Sequence, residues 1–208
     1  MSGKKFRGKY RIDSVRMKNY DYSQNASYFV TILTKNRENF FGEIVNQKMQ
    51  LSEIGKIVEY EWYRTPEIRP DMNITLDQFV IMPNHIHGII VIGDNQYNSA
   101  SVVETPCIVE TQCIASLRPA SENEPYKNDF GPQRKILSSI IRGFKSAVTK
   151  KSREKFPGFA WQSRFHDHII RNEKSLNRIR QYIIKNPELW HRDRNNPNLT
   201  HRNNNPLT

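Results

Sequence analysis

The stretch Val80 to Ile92, VIMPNHIHGIIVI, reads as the end of one apolar strand, a turn at Pro83-Asn84, and a second strand from His85 to Ile92. Two histidines stand one residue apart in that second strand. Residues two apart in a strand project to the same side, so His85 and His87 share a face and Ile86 points the other way. Two neutral imidazoles placed in this way can hold one divalent cation, with nitrogens about 2.0–2.2 Å from the metal. The alternative is a pair of core histidines satisfied by hydrogen-bond partners. The turn puts the pair at a strand start, near a sheet rim, which adds slightly to the case for a cation and leaves both readings open.

Working outward, NITLDQFVIM (Asn73 to Met82) is the first strand of this pair, and SYFVTILTK (Ser27 to Lys35) alternates as an earlier strand. Between them, MQLSEIGKIVEYEWYRTP predicts a helix starting at Ser52 as N-cap with Glu53 in its first turn. Its apolar face runs through Ile54, Val58 and Trp62, and Pro66 helps to end it. After the hairpin, RKILSSIIRGFKSAVTKKSREKF carries a helical apolar face of Leu137, Ile140, Ile141, Phe144 and Val148. WQSRFHDHIIR (Trp161 to Arg171) reads as a fourth strand. NEKSLNRIRQYIIKNPELW closes the fold as a helix with Leu176, Ile179 and Ile183 inward and Pro187 at its end.

The order is βαββαβ plus one added helix. That predicts an α+β, ferredoxin-like sandwich, an antiparallel sheet with helices on one face and an added C-terminal helix carrying Tyr182. Residues 1–25 form a basic arm, 26–190 the domain, and 191–208 a mobile basic tail rich in Asn and Arg. Residues 93–133 read as a flexible insertion. It holds a short repeat, VETPCI then VETQCI, too small to build a solenoid.

A chain of 208 residues suits one domain with a proper core. Its net charge of +11 and pI near 9.7 favour polyanionic partners, nucleic acid ahead of membrane surface. No apolar run approaches the roughly 20 residues of a membrane span. The start, MSGKKFRGKYR, lacks the hydrophobic segment of a secretory signal. Cys107 and Cys113 are the only cysteines, which is no disulfide framework and fits a reducing cytoplasm.

A metal needs a further protein ligand and a reaction needs another group. In QYIIKNP (Gln181 to Pro187), Tyr182 and Asn186 lie one helical turn apart on one side. The Asn186 amide oxygen suits a hard cation, and the two imidazoles with that oxygen suit Mg²⁺ or Mn²⁺ with positions left for a phosphate. Each residue also has a plain structural reading, Tyr182 as a helix-face tyrosine and Asn186 as a helix C-cap.

The blocks MPNHIHGIIVI, IIRGFKSAVTK, WQSRFHDHIIRNE and IRQYIIKNPELW, in this order, resemble the REP-associated tyrosine transposases. These are relatives of the single-tyrosine transposases of bacterial insertion sequences, within the HUH nucleases, named for His, hydrophobic residue, His. YDYSQNASYFVTILTKNRENFFGEI also looks typical, and the likeness runs from about Tyr20 to Trp190. The resemblance implies a metal-dependent single-strand DNA endonuclease and strand-transferase. It would cleave near hairpin-forming repeats through a 5′-phosphotyrosine. By position, Tyr182 is the nucleophile, His85 and His87 are metal ligands, and Asn186 is the third ligand, where some relatives carry glutamine. A DNA-hairpin-binding regulator without catalysis, and a nuclease using water, are the competing readings. Monomer and homodimer both occur among the relatives.

Single-strand binders combine a basic groove with aromatic platforms. The candidates for phosphate contact are Lys4, Lys5, Arg7, Lys9 and Arg11 in the arm, beside Tyr10. Arg142, Lys145, Lys150 and Lys151 follow on the helix after the insertion, and Arg178 and Arg180 on the last helix. A second His-x-His, His166-Asp167-His168, has an acidic middle residue, so its far face is less suited to a core. His168 is read as a DNA or supporting contact and His166 as a surface residue.

Overall fold

The computed structural model describes residues 17, 20–98 and 135–199. Its elements are β1 (Ala26–Leu33), a hairpin of β2 (Gly42–Val45) and β3 (Lys48–Leu51), α1 (Glu53–Tyr63) and the short α2 (Thr65–Ile68). There follow β4 (Ile74–Ile81), β5 (His85–Ile92), α3 (Leu137–Arg153), β6 (His166–Ile170) and α4 (Glu173–Lys185). Four strands form one sheet in the order β4-β5-β1-β6, and every pairing in it is antiparallel. Setting aside the β2–β3 hairpin and α2, this is the ferredoxin-like βαββαβ order expected, with α4 added.

The helices form where capping and periodicity coincide. Ser52 Oγ accepts from the backbone N–H of Gly55 at 3.1 Å and starts α1. Asn172 Oδ1 does the same for Ser175 at 2.8 Å and starts α4. Ile54, Val58 and Trp62 of α1 and Leu137, Ile140, Ile141, Phe144 and Val148 of α3 are all buried, over Tyr28, Val30, Ile32, Ile86, Ile90 and Ile92 of the sheet. The opposite face is covered by α4. Its Ile179 and Ile183 bury against Ile89 and Ile170, flanked by Phe29, Val80, Val91 and Leu176. The Arg180 guanidinium grips the Asp77 carboxylate of β4, Nε to Oδ1 at 3.0 Å, and holds α4 across the sheet.

Two features depart from the sequence reading. The β2–β3 hairpin was not anticipated. Its turn residues Asn46 and Gln47 both have positive φ, 49° and 63°; the primed turn they form usually advertises itself with a glycine, and here it does not. The fourth strand is also shorter than Trp161 to Arg171. Trp161 makes only an isolated bridge to Thr34, and Arg164 adopts a left-handed φ of 66°, which interrupts extended pairing before His166. The basic arm candidates Lys4, Lys5, Arg7, Lys9 and Arg11 lie outside the described residues. So do most of the insertion, its repeat and both cysteines. Among the described residues no helix is long and apolar enough to cross a membrane.

Gly88 of β5 lies directly beneath Trp62 of α1. A Cβ built there would meet the Trp62 ring at 2.3 Å, and that ring is already stacked on Phe79 at 4.5 Å. Gly88→Ala therefore overpacks the core, and chemical denaturation is expected to show a loss of about 1–3 kcal/mol.

Candidate active site

The site is built at the start of β5, and its chemistry begins with an amide. Asn84 is buried in the turn before the strand, and its Nδ2 donates to the carbonyls of Arg37 (2.9 Å) and Asn195 (2.8 Å). With both amide hydrogens directed at carbonyls, Oδ1 is left as an acceptor, 2.9 Å from His85 Nδ1. His85 therefore carries its proton on Nδ1, and Nε2 presents a lone pair. His87 Nδ1 is held by Thr31 Oγ1 at 2.8 Å from the neighbouring strand. Both imidazoles thus turn Nε2 towards the same point, and the two Nε2 atoms lie 3.1 Å apart.

Neither ring is ionised at neutral pH. Burial, with the charges of Arg194 and Arg37 behind it, depresses His85 to about 3. Burial and the neighbouring His85 push His87 well below the usual imidazole range. The 3.6 Å approach of Asp193 Oδ2 to His85 Nε2 is therefore no ion pair of opposite charges. The ligating atoms of His85, His87 and Asp193 all lie within 4.8 Å of one another. Two nitrogens about 2.1 Å from a common ion and separated by 3.1 Å subtend about 95° at it, close to octahedral geometry. The donor set fits a divalent cation.

Tyr182 stands over this point. Its Oη is 3.3 Å from His87 Nε2, and the side chain is 46% exposed, so the phenol is open to a substrate. Phe29 positions both rings: it stacks on His87 at 5.3 Å and meets Tyr182 edge-on at 6.0 Å. Asn186 is buried one turn beyond Tyr182 as the C-cap of α4. It engages its surroundings through its backbone, N–H to Ile183 and carbonyl from Leu189.

Sequence reasoning did not single out Asp193, Asn84 or Thr31 as site residues. Residues 191–199, expected as part of a mobile tail, follow a defined path back to the turn. The one acidic side chain among the basic and amide residues after Trp190 was the available signal.

The basic candidates divide. Arg142, Lys150 and Arg178 are exposed. Lys145 Nζ donates to the carbonyls of Gln162 and Arg164, Lys151 pairs with the buried Glu61, and Arg180 is engaged by Asp77. His166 and His168 pair with Thr31 and Phe29, so both lie exposed on the face that carries His87. A groove of about 770 Å³ runs beside this edge, lined by His168, Arg171, Lys174 and Arg178 with Asp167.

No family model matches the chain. An uncharacterised protein of Haemophilus influenzae is 39% identical over 181 residues, which cover 86% of this chain and 90% of that one. The fold is similar to the solved structure of a REP-associated tyrosine transposase bound to a REP hairpin. That likeness has a TM-score of 0.49 at 19% identity and covers 85% of this chain and 73% of that one.

Because Thr31 orients the His87 ring, Thr31→Val is expected to weaken Mn²⁺ binding about tenfold while leaving the fold intact. Calorimetric titration of the metal-free protein checks this.

Proposed function

We propose a function for a chain that belongs to one family with the Haemophilus influenzae protein: a metal-dependent single-strand DNA endonuclease and strand-transferase, transposase-like, acting beside hairpin-forming repeats. The observation that carries the reading is the 3.3 Å approach of the Tyr182 hydroxyl to the Nε2 of His87, at the point where both imidazole Nε2 atoms converge. A buried imidazole pair alone is explained by core packing. A half-exposed phenol aimed at it is not.

His85 and His87 would hold a divalent cation, Mg²⁺ or Mn²⁺; the motif names Asn186 for the third donor, a place for which Asp193 competes. When bound, such a cation draws charge from a non-bridging phosphate oxygen and fixes the phosphate. The chain's own residues do the rest. Asn84 fixes the tautomer of His85, Thr31 holds the orientation of the His87 ring, and Phe29 packs against the Tyr182 ring. The Tyr182 oxygen attacks phosphorus in line with the departing 3′ oxygen. The tyrosyl O–P bond forms as the P–O3′ bond breaks, and the phenol's proton passes through solvent to leave a free 3′-OH. The phosphodiester energy is retained in the 5′-phosphotyrosine, so a second 3′-OH can reverse the exchange without ATP.

DNA would lie along α4 and the β6 edge, where His168, Arg178 and the groove cations are exposed, with Arg142, Lys150 and the arm lysines and arginines as further phosphate contacts. With DNA as substrate, the protein would work at the nucleoid in the bacterial cytoplasm, as monomer or homodimer.

Incubation of a single-stranded hairpin substrate with Mn²⁺ is expected to yield a denaturant-resistant protein–DNA adduct that disappears in Tyr182→Phe. Cleavage that survives Tyr182→Phe without an adduct would replace this reading with a water-using nuclease, and binding without cleavage with a regulator. Arg178→Ala should reduce the slope of log affinity against log salt by about 0.7, the share of one single-strand phosphate contact.

A further inference from the structure

Three electron-pair donors converge at the start of β5, and only two of them belong to the strand. The third is Asp193, and its placement is built. Its Oδ1 accepts the backbone N–H of Asn195 at 2.6 Å, which leaves Oδ2 directed towards His85 Nε2 at 3.6 Å. The segment that carries it is tied down on both sides. The Trp190 ring lies 6.0 Å from the His85 ring, Arg37 Nη1 donates to the Arg194 carbonyl at 3.0 Å, and Asn84 Nδ2 donates to the Asn195 carbonyl.

The Asn84 amide that directs the His85 lone pair also anchors the carboxylate's segment, so one residue aligns both donors. The carboxylate side chain is only 8% exposed. With Oδ1 engaged by Asn195, Oδ2 and the two Nε2 atoms are grouped within 4.8 Å of one another.

We infer that Asp193 is the third protein ligand of the cation site, in the place the motif assigns to Asn186. This rests on the cation site of the proposed function. Two imidazoles and one carboxylate leave the remaining octahedral positions open to phosphate oxygens, and the carboxylate's charge favours a hard divalent ion over an amide's neutral oxygen. The segment from Trp190 to Asn195 then forms part of the catalytic domain.

The test is a calorimetric titration of the metal-free, full-length protein with MnCl₂, comparing the wild type with Asp193→Asn, Asp193→Glu, Asn186→Ala and His85→Ala. Asp193→Asn is expected to raise the Kd at least about tenfold, Asn186→Ala to change it less than about threefold, and His85→Ala to abolish binding. Asp193→Glu keeps the charge and is expected to recover most of the affinity, which a misfolded variant would not. Wild-type affinity in Asp193→Asn, or a loss confined to Asn186→Ala, overturns the inference even if the Tyr182 adduct forms. Absence of Mn²⁺ binding by the wild type overturns both the inference and the cation site on which it rests.

Discussion

Eight consecutive pairings, from Ala26 with Ile92 to Leu33 with His85, lock β5 against β1 in one register. Side chains alternate faces along a strand, so a slip of one residue would send both imidazoles to the other side of the sheet. That side is the packed core under α1 and α3, where Ile86, Ile90 and Ile92 already sit. In the register observed, the imidazoles open instead towards α4. The hydrophobic demand of one face of β5 thereby places the polar chemistry of the other. The same pairing sets Thr31 opposite His87, where its hydroxyl holds the ring.

The second requirement is that α4 lie at a fixed position over that face. Ile179 and Ile183 supply the burial, and the Arg180–Asp77 pair fixes the helix relative to β4. With the Phe29 ring packed against both the Tyr182 and His87 rings, which also touch each other, the phenol is directed at the imidazole. Burial keeps the imidazoles neutral, the form in which they bind metals, and the Nδ1 contacts with Asn84 Oδ1 and Thr31 Oγ1 leave the Nε2 atoms facing the site. The contacts that stabilise the fold therefore also arrange the side chains of the site.

Much of this was legible in the residues. Ser52 as N-cap, the Ile54–Val58–Trp62 face, the apolar face of α3 and the span of β5 follow from spacing and side-chain type, and the structure has them. So does the sharing of one face by His85 and His87. What was hidden depends on long-range packing. The Asn46-Gln47 turn carries no glycine to announce its positive φ, and Arg164 is equally silent. The return of Asp193 relies on Asn84 bonding Asn195, 111 residues away, which no local pattern encodes. Charge counting also cannot say which cations are engaged within the protein; Arg180 and Lys151 look like Arg178 and Lys150 until Asp77 and Glu61 are found beside the first two.

The central claim is that His85 and His87 bind one cation through their Nε2 atoms, directly beneath the Tyr182 hydroxyl. Crystals grown with Mn²⁺ and measured at the manganese absorption edge test it most directly. The account predicts a single anomalous peak about 2.1–2.3 Å from both Nε2 atoms, on the side facing Tyr182. A peak at His166 and His168 instead, or none between His85 and His87 at saturating Mn²⁺, would contradict it.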